Sequence, residues 1–458
     1  MRKGLILAAL VLWCVPAVFA AIMTNTNQSA LFFRFPSRNA STDLDAVYYN
    51  PAGLARLQDG FHVAVHSQTI FKEKTVTNAF LMLNDPTYVG KTKVPVFPNF
   101  YAIYKKGALA LSFGFGPIAG GGSADYADGL PSFEYDVSLL PTLLTAAGLP
   151  TTKYSAELSF KGTSVYYGFQ VNATYALNDM ISAAAGVRYI YAVNTYEGEI
   201  KNIQINPTFP LLGWTGQMRS APAAFNTLYT ATGNPAYLAY AAKTSDKAVD
   251  VKQVGSGFTP ILGLHLSPAE NFNIGIRYEF NTKLELENQT TKDDTGMFPD
   301  GAKERNDVPA SLSIGAGYAL SPNFRASASY SLFFEKQADW AGQEKLLDSN
   351  SYDLSFAVEY DVSSFLTLSG GYVYTKTGAG EKYQSDMSFD LGANTIGMGA
   401  RIRLGPKVDI DLGGVYVTYT DQSKSIKLPS PPYPALPAFQ ETYKESTYAF
   451  SIGLNFHL

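Results

Sequence analysis

Period-two alternation in the absence of long apolar runs constrains this chain most. In the last segment Tyr448, Phe450, Ile452, Leu454, Phe456 and Leu458 are apolar, and Ala449, Ser451, Gly453, Asn455 and His457 lie between them. Side chains two apart share one face of a strand, so this reads as a strand with one greasy and one small or polar face. The same pattern runs through Val165–Tyr175, Phe272–Asn281, Tyr352–Asp361 and Val408–Gly413. Leu5–Val15 is too short for a spanning helix, and no further stretch has the ~18 consecutive apolar residues of one.

Alternation alone fits a secreted sandwich as well as a membrane barrel. The connections separate the two. We expect about fourteen strands, near 60–74, 94–105, 107–117, 157–177, 180–199, 247–267, 271–289, 308–320, 323–337, 350–361, 364–377, 387–404, 407–424 and 442–458. The links between them are alternately short (Asn178-Asp179, Ser321-Pro322, Gly405-Pro406) and long (117–156, 200–246, 425–441). Such sorting is what an outer-membrane barrel shows, with short turns on the periplasmic side and long loops outside. Tyr104, Tyr175, Phe272, Tyr318, Phe324, Tyr360 and Phe365 cluster beside the short turns, as interfacial aromatic residues do. Charged residues make up 16% of the chain, well under the ~25% usual for soluble domains, which agrees with a lipid-facing wall. The fold class is therefore all-β, an antiparallel transmembrane barrel.

Residues 1–20 read as a secretory signal peptide: Arg2 and Lys3, the apolar run Leu5–Val15, then Val18-Phe19-Ala20. Removal leaves no cysteine, hence no disulfide and no thiolate metal site. It also leaves 33 basic against 39 acidic groups, which gives no basic footprint for nucleic acid. The compartment expected is the bacterial outer membrane, with its lipid around the wall. Phe456-His457-Leu458 is similar to the C-terminal signal of such barrels, so the barrel-assembly machinery is an expected partner during biogenesis.

Residues 21–58 precede the first strand and do not alternate. A barrel of about fourteen strands encloses more space than its own side chains fill. The segment is expected to occupy that lumen, ahead of the barrel at 59–458.

Within it, Arg38-Asn39-Ala40-Ser41-Thr42-Asp43-Leu44-Asp45-Ala46-Val47-Tyr48-Tyr49-Asn50-Pro51-Ala52-Gly53-Leu54 resembles the N-terminal hatch of the FadL-type family, outer-membrane transporters of long-chain fatty acids and related hydrophobic compounds. The family carries an Asn-Pro-Ala motif there, followed by fourteen strands. A second match is Gly114–Tyr126, where the family has its kinked third strand. The resemblance implies passive uptake: capture by outer loops, binding in the lumen, a shift of the hatch, and sideways exit at the kink. Asn50, Pro51, Ala52 and Gly53 are then the gating residues. Gly114, Gly116, Pro117, Gly120, Gly121 and Gly122 are then the lateral-exit kink. Alternatively, the first set is a turn anchoring a plug and the second a strand end entering a loop. Proline and glycine weaken a β ladder in either case.

The long loops are unusually apolar. Leu139, Leu140, Leu143, Phe225, Leu228 and Tyr237 are expected to lie on short helices, lining a capture groove or packing as a lid. Parity puts Arg188, Arg277, Arg325, Arg401, Arg403, Glu279 and Glu335 inside, mostly as balanced pairs or hatch partners. Arg188, Arg277 and Arg325 are candidates to meet a ligand carboxylate. Ile190, Ile261 and Phe333 are candidates for its apolar lining. His62 and His66 share the inward face, but no third metal ligand is evident, and no cofactor or metal is expected. Without a nucleophile elbow we expect no enzyme. Pro429–Pro437 is expected to be a stiff strut. The protein is expected to act as a monomer on a hydrophobic, fatty acid-like ligand. A general porin and a surface adhesin or antigen are the alternatives.

Overall fold

The computed structural model describes residues 29–428 and 435–458, with backbone only at 121–123. The expected leader, residues 21–28 of the expected hatch and most of the Pro-rich strut lie outside the described residues.

Fourteen antiparallel strands close into a barrel. In chain order they are β1 (Gly60–Asn78), β2 (Thr87–Lys106), β3 (Leu109–Tyr126), β4 (Tyr154–Ala176), β5 (Ile181–Ile205) and β6 (Lys247–Ala269). Next come β7 (Phe272–Glu279, continuing as Glu285–Asp293), β8 (Ser311–Ser321), β9 (Phe324–Phe333) and β10 (Ser351–Asp361). The last are β11 (Leu366–Lys376), β12 (Ala393–Arg403), β13 (Val408–Tyr419, continuing as Gln422–Ile426) and β14 (Phe439–His457). β1 closes the wall against β14, from His62 opposite His457 to Asn78 opposite Glu441.

The wall is apolar outside and polar inside, the reverse of a soluble sandwich. On β14, Phe450 is 59% exposed and its neighbour Ser451 8%. Phe61 and Val65 face out on β1, while His62, His66 and Gln68 are buried. Tyr104, Tyr175, Tyr318, Tyr360 and Phe365 are likewise exposed beside the short turns. No described helix is long and apolar enough to cross a membrane.

Several strand ends differ from expectation. β1 and β2 run on to Asn78 and back from Thr87, so the expected loop 75–93 is mostly paired backbone. These arms lose the simple alternation because they bury Val76 and Tyr88 against other loop-end segments instead of facing lipid. β9 stops at Phe333, and Glu335 sits in a 3-10 turn (Glu335–Gln337) rather than on an inward strand face. There the Ser351 hydroxyl and N–H donate to its Oε2. β12 starts at Ala393 and not at 387, because Phe389 and Leu391 turn in to join a buried cluster.

The long loops carry four short helices: α3 (Pro131–Ser138), α4 (Leu140–Ala146), α5 (Ala221–Thr232) and α6 (Ala236–Lys243), numbered after two in the N-terminal segment. That segment holds α1 (Ala30–Arg34), α2 (Ala46–Tyr49) and a 3-10 turn at Pro51–Arg56. α1 lies against β1, β11, β12, β13 and β14, and the 3-10 turn against β3, β4, β5, β6 and β7. Residues 29–54 are almost wholly buried between these walls.

Candidate functional site

The N-terminal segment is held differently at its two ends. From Ser29 to Asp43 ion pairs to the wall stand beside neutral bonds from Ser37 and Asn39 to Ser327, Ser329 and Ser331. Arg34 donates from Nε to Asp411 at 2.7 Å and from Nη1 to Glu359 at 2.9 Å. Arg401 donates to Asp43 at 3.0 Å and to Asp411 at 3.0 Å. Arg38 grips Asp45 with two bonds of 2.9 and 2.6 Å, and Asp45 also accepts from the Ser29 and Ser41 hydroxyls. Bidentate, buried and charge-assisted pairs of this kind are the strong ones. His66 accepts the Ala30 N–H at Nδ1, which makes Nε2 the donor to Asn455. The two inward histidines are thus hydrogen-bonding groups, His62 through His457 and the Gln58 carbonyl. Among the described residues no three His, Cys, Asp or Glu side chains gather as a metal set.

From Leu44 to Arg56 the wall mainly holds backbone carbonyls. Gln170 and Asn172 donate to Val47 O, Thr174 to Pro51 O at 2.7 Å, and Ser182 to Ala52 O at 2.7 Å. The Arg277 guanidinium donates to Tyr48 O, and the Arg188 and Arg277 guanidinia lie 4.7 and 5.0 Å from the Tyr48 ring centre. Asn50 donates to Ser41 O and meets His265, each at 2.9 Å, but its Oδ1 is buried with no partner. A buried acceptor left unmatched costs about 1–3 kcal/mol. A Cβ on Gly53 would stand 2.3 Å from Ser41 O, and one on Gly275 of β7 would stand 2.1 Å from Asn39 O. Only glycine permits that approach.

Beside this second half the wall is discontinuous. β2 and β3 pair from Phe100–Lys106 against Phe115–Leu109, and again at Gly90 and Lys91. Between these stretches residues 92–99 and 116–124 have no β2–β3 pairing. Register also shifts twice on the other side of β3, around Ala119. Pro95, Pro98 and Pro117 lie in or at this seam and have no N–H for a ladder. A cleft of about 10 Å³ here is lined by Val47, Tyr48, Asn99, Tyr101, Gly114, Gly116 and Arg188. Of the expected kink residues, Gly116, Pro117, Gly120, Gly121 and Gly122 lie in the stretch unpaired with β2 and Gly114 pairs with Tyr101 at its edge, while Val47 and Tyr48 of the N-terminal segment line the same cleft.

Larger cavities lie towards the loop end. One of about 280 Å³ has Phe32, Phe160, Phe389, Leu391 and Val417 among apolar walls, and Lys72, Lys74, Asp353, Asp386, Asp390 and Glu445 among polar ones. Burial pushes the loop carboxyl of Asp390 up to about 6 and also raises that of Asp386. A second, of about 140 Å³, lies between loops and is lined by Phe133, Val137, Ile200, Ile203, Met297 and Phe298. Phe160, Tyr196 and Met387 line both. At the turn end a polar mouth of about 600 Å³ contains Arg38, Asp43, Arg56 and Arg325.

The loop residues expected to line a groove are core instead. Leu140, Phe225 and Leu228, with Leu143 and Tyr237 against them, form one buried cluster joining α3–α6. Leu139 joins Phe80 and Phe439 in another. Apolar side chains on water-facing loops are stabilised by burying one another, so the lid arrangement is found at these positions. Ile190 and Phe333 pack in the cluster around Val47 and Tyr48, and Ile261 is also buried. The arginines are engaged: Arg188 with Glu279 and Gln170, Arg277 with Glu279 and Tyr48, Arg325 with Glu359 and Asp361. Of the expected ligand contacts, Arg188 borders the seam cleft and Arg325 the turn-end mouth. Sequence reasoning missed Arg34, Asp411 and Glu359 as anchors, although parity alone places both acids inside. It also missed Pro95 and Pro98, whose breaker character was legible.

No family model and no curated protein matches the chain. Solved structures do. A Pseudomonas aeruginosa FadL homologue superposes with TM-score 0.65 at 12% identity, over 96% of this chain and 100% of that one. The P. putida toluene transporter TodX gives 0.58 at 14%, over 91% and 95%. The Ralstonia pickettii toluene transporter TbuX gives 0.53 at 15%, over 91% and 94%. The likeness first carried by Arg38–Leu54 thus extends over nearly the whole chain as architecture, and its fold is that of the FadL-type barrels.

Proposed function

We propose that the protein is a bacterial outer-membrane transporter, not an enzyme, for passive uptake of hydrophobic small molecules. Long-chain fatty acids are the class suggested by the Asn-Pro-Ala resemblance, and monoaromatic hydrocarbons the class named for TodX and CymD. The observation that carries the reading is the unpaired β2–β3 seam with residues 47 and 48 behind it.

Ligand enters between the loops and passes the divider of Phe160, Tyr196 and Met387 into the lumen cavity, whose walls include Phe32. Residues 44–57 then shift, hinged at Asn50–Gly53, and ligand leaves through the seam into the bilayer. Sideways exit keeps each methylene out of water, about 0.8 kcal/mol apiece. The orphaned Asn50 acceptor lowers the cost of leaving the resting position. Residues 29–43 stay fixed as the plug's anchor.

Two measurements test this. Pure protein in a planar bilayer is expected to pass no large steady current; such a current supports a general porin. Cells carrying the protein are expected to take up a radiolabelled long-chain or aromatic probe, and deletion of Asn50-Pro51-Ala52 to lower uptake while the barrel stays heat-stable. Unchanged uptake in the deletion contradicts hatch gating. No uptake by the intact protein contradicts transport and leaves the adhesin alternative.

A further inference from the structure

The cavity at the loop end carries an unexpected charge balance. Its charged lining groups are the carboxylates of Asp353, Asp386, Asp390 and Glu445 against the two ammonium groups of Lys72 and Lys74. Both cations are occupied. Lys72 pairs with Glu445. Lys74 lies 3.6 Å from the same Glu445, 3.4 Å from the Phe389 carbonyl and 4.3 Å over the Phe389 ring.

The acids are only partly satisfied. Asp353 accepts from Thr375 at one oxygen, at 2.6 Å, and Asp390 accepts from Thr377 at one oxygen. The second oxygen of each has no protein donor among the described residues. Asp386 accepts the Ser132 N–H at 2.7 Å. Beside the hydroxyls of the lining, a carboxylate ligand entering here meets acidic oxygens that lack a protein donor and no cation free of an acidic partner. A hydroxyl or an amine meets acceptors that lack a donor, with phenyl rings beside them for its apolar part.

We propose that this cavity takes hydrophobic molecules whose polar end donates hydrogen bonds, an alcohol or an amine, and discriminates against carboxylates. The inference rests on the uptake reading and narrows its ligand class.

The test uses the full mature protein in nanodiscs, with empty nanodiscs as blank. Dodecan-1-ol, dodecylamine and dodecanoate compete with an uncharged fluorescent hydrophobic probe. The alcohol and the amine are expected to displace it at about tenfold lower concentration than dodecanoate. Asp353→Asn with Asp390→Asn is expected to narrow that gap. Lys74→Met, which leaves both acids in place, is expected not to weaken dodecanoate further. Dodecanoate binding as tightly as the alcohol, or losing affinity in Lys74→Met, overturns the inference and leaves hydrophobic uptake standing. Failure of all three ligands and of the probe to bind overturns both.

Discussion

Two sides of the barrel hold the N-terminal segment, and they hold it unequally. The wall from β10 to β13 is continuously paired, and it grips residues 29–43 through Arg34, Arg401, Asp411 and Glu359. The wall from β2 to β4 has an unpaired stretch, and it holds residues 44–52 by side-chain donors to backbone carbonyls. Neutral bonds are worth about 1 kcal/mol net, while breaking a buried charge pair costs about 3–5 kcal/mol. The segment is therefore held by buried ion pairs on the intact side and by single donors to carbonyls on the seam side, and the proposed release belongs to the second.

The largest effect is expected from attacking the anchor. Asp411→Ala leaves Arg34 and Arg401 without their shared carboxylate, at about 3–5 kcal/mol. Proteolysis of residues 29–43 and steady ion leakage in a planar bilayer should both rise. If neither changes, the ionic side is not the anchor.

A smaller effect is expected at the seam. A Cβ at Gly116 would stand 2.2 Å from the Asn99 side chain, so Gly116→Val fills the cleft. Uptake should fall about tenfold, roughly 1.4 kcal/mol, with heat stability of the barrel unchanged. Normal uptake would place the exit elsewhere.

Smaller again is Thr174→Val, which removes one donor to the Pro51 carbonyl at about 1 kcal/mol. Hydrogen exchange at residues 50–56 should rise slightly while residues 29–43 stay protected. Equal loosening of both halves would erase the distinction between them.

The mildest test is a pH control outside both regions. Burial holds the Glu335 carboxyl at about 8 against its ordinary 4.5. The folded loop therefore keeps a proton that the unfolded loop gives up. Packing of residues 334–350 is strongest below pH 4.5 and weakens as pH rises towards 8. Protection from hydrogen exchange there, taken relative to the intrinsic rate at each pH, should fall over that window in the native protein and stay flat in Glu335→Gln.

The barrel was legible because its signals are local. Each strand facing lipid writes its own alternation, and Ser321-Pro322 or Gly405-Pro406 marks a turn without reference to anything distant. The same logic raised the expectation that residues 21–58 fill the lumen; of these, 29–54 are almost wholly buried. It failed where strands leave the lipid: Thr75-Val76-Thr77 lies beyond the expected strand end at 74, though it is paired with β2. The cavity was illegible for another reason. Lys74, Phe160, Asp353 and Asp390 come from four separate stretches, and each alone is an ordinary strand or loop residue. Gly53 was readable as a breaker and Gly275 as a small residue on a strand face, yet what they accommodate is backbone from another segment, which no local pattern encodes.

In the proposed route residues near 47 must leave the seam for ligand to pass. Val47 Cγ1 stands 2.9 Å from where a Gly114 Cβ would be, which puts the two positions within reach of a disulfide. In the double variant Val47→Cys with Gly114→Cys, uptake of a radiolabelled hydrophobic probe should stop under oxidising conditions and return on reduction. Equal uptake in the oxidised and reduced protein, with the cross-link confirmed by mass spectrometry, would show that ligand passes without movement of residue 47.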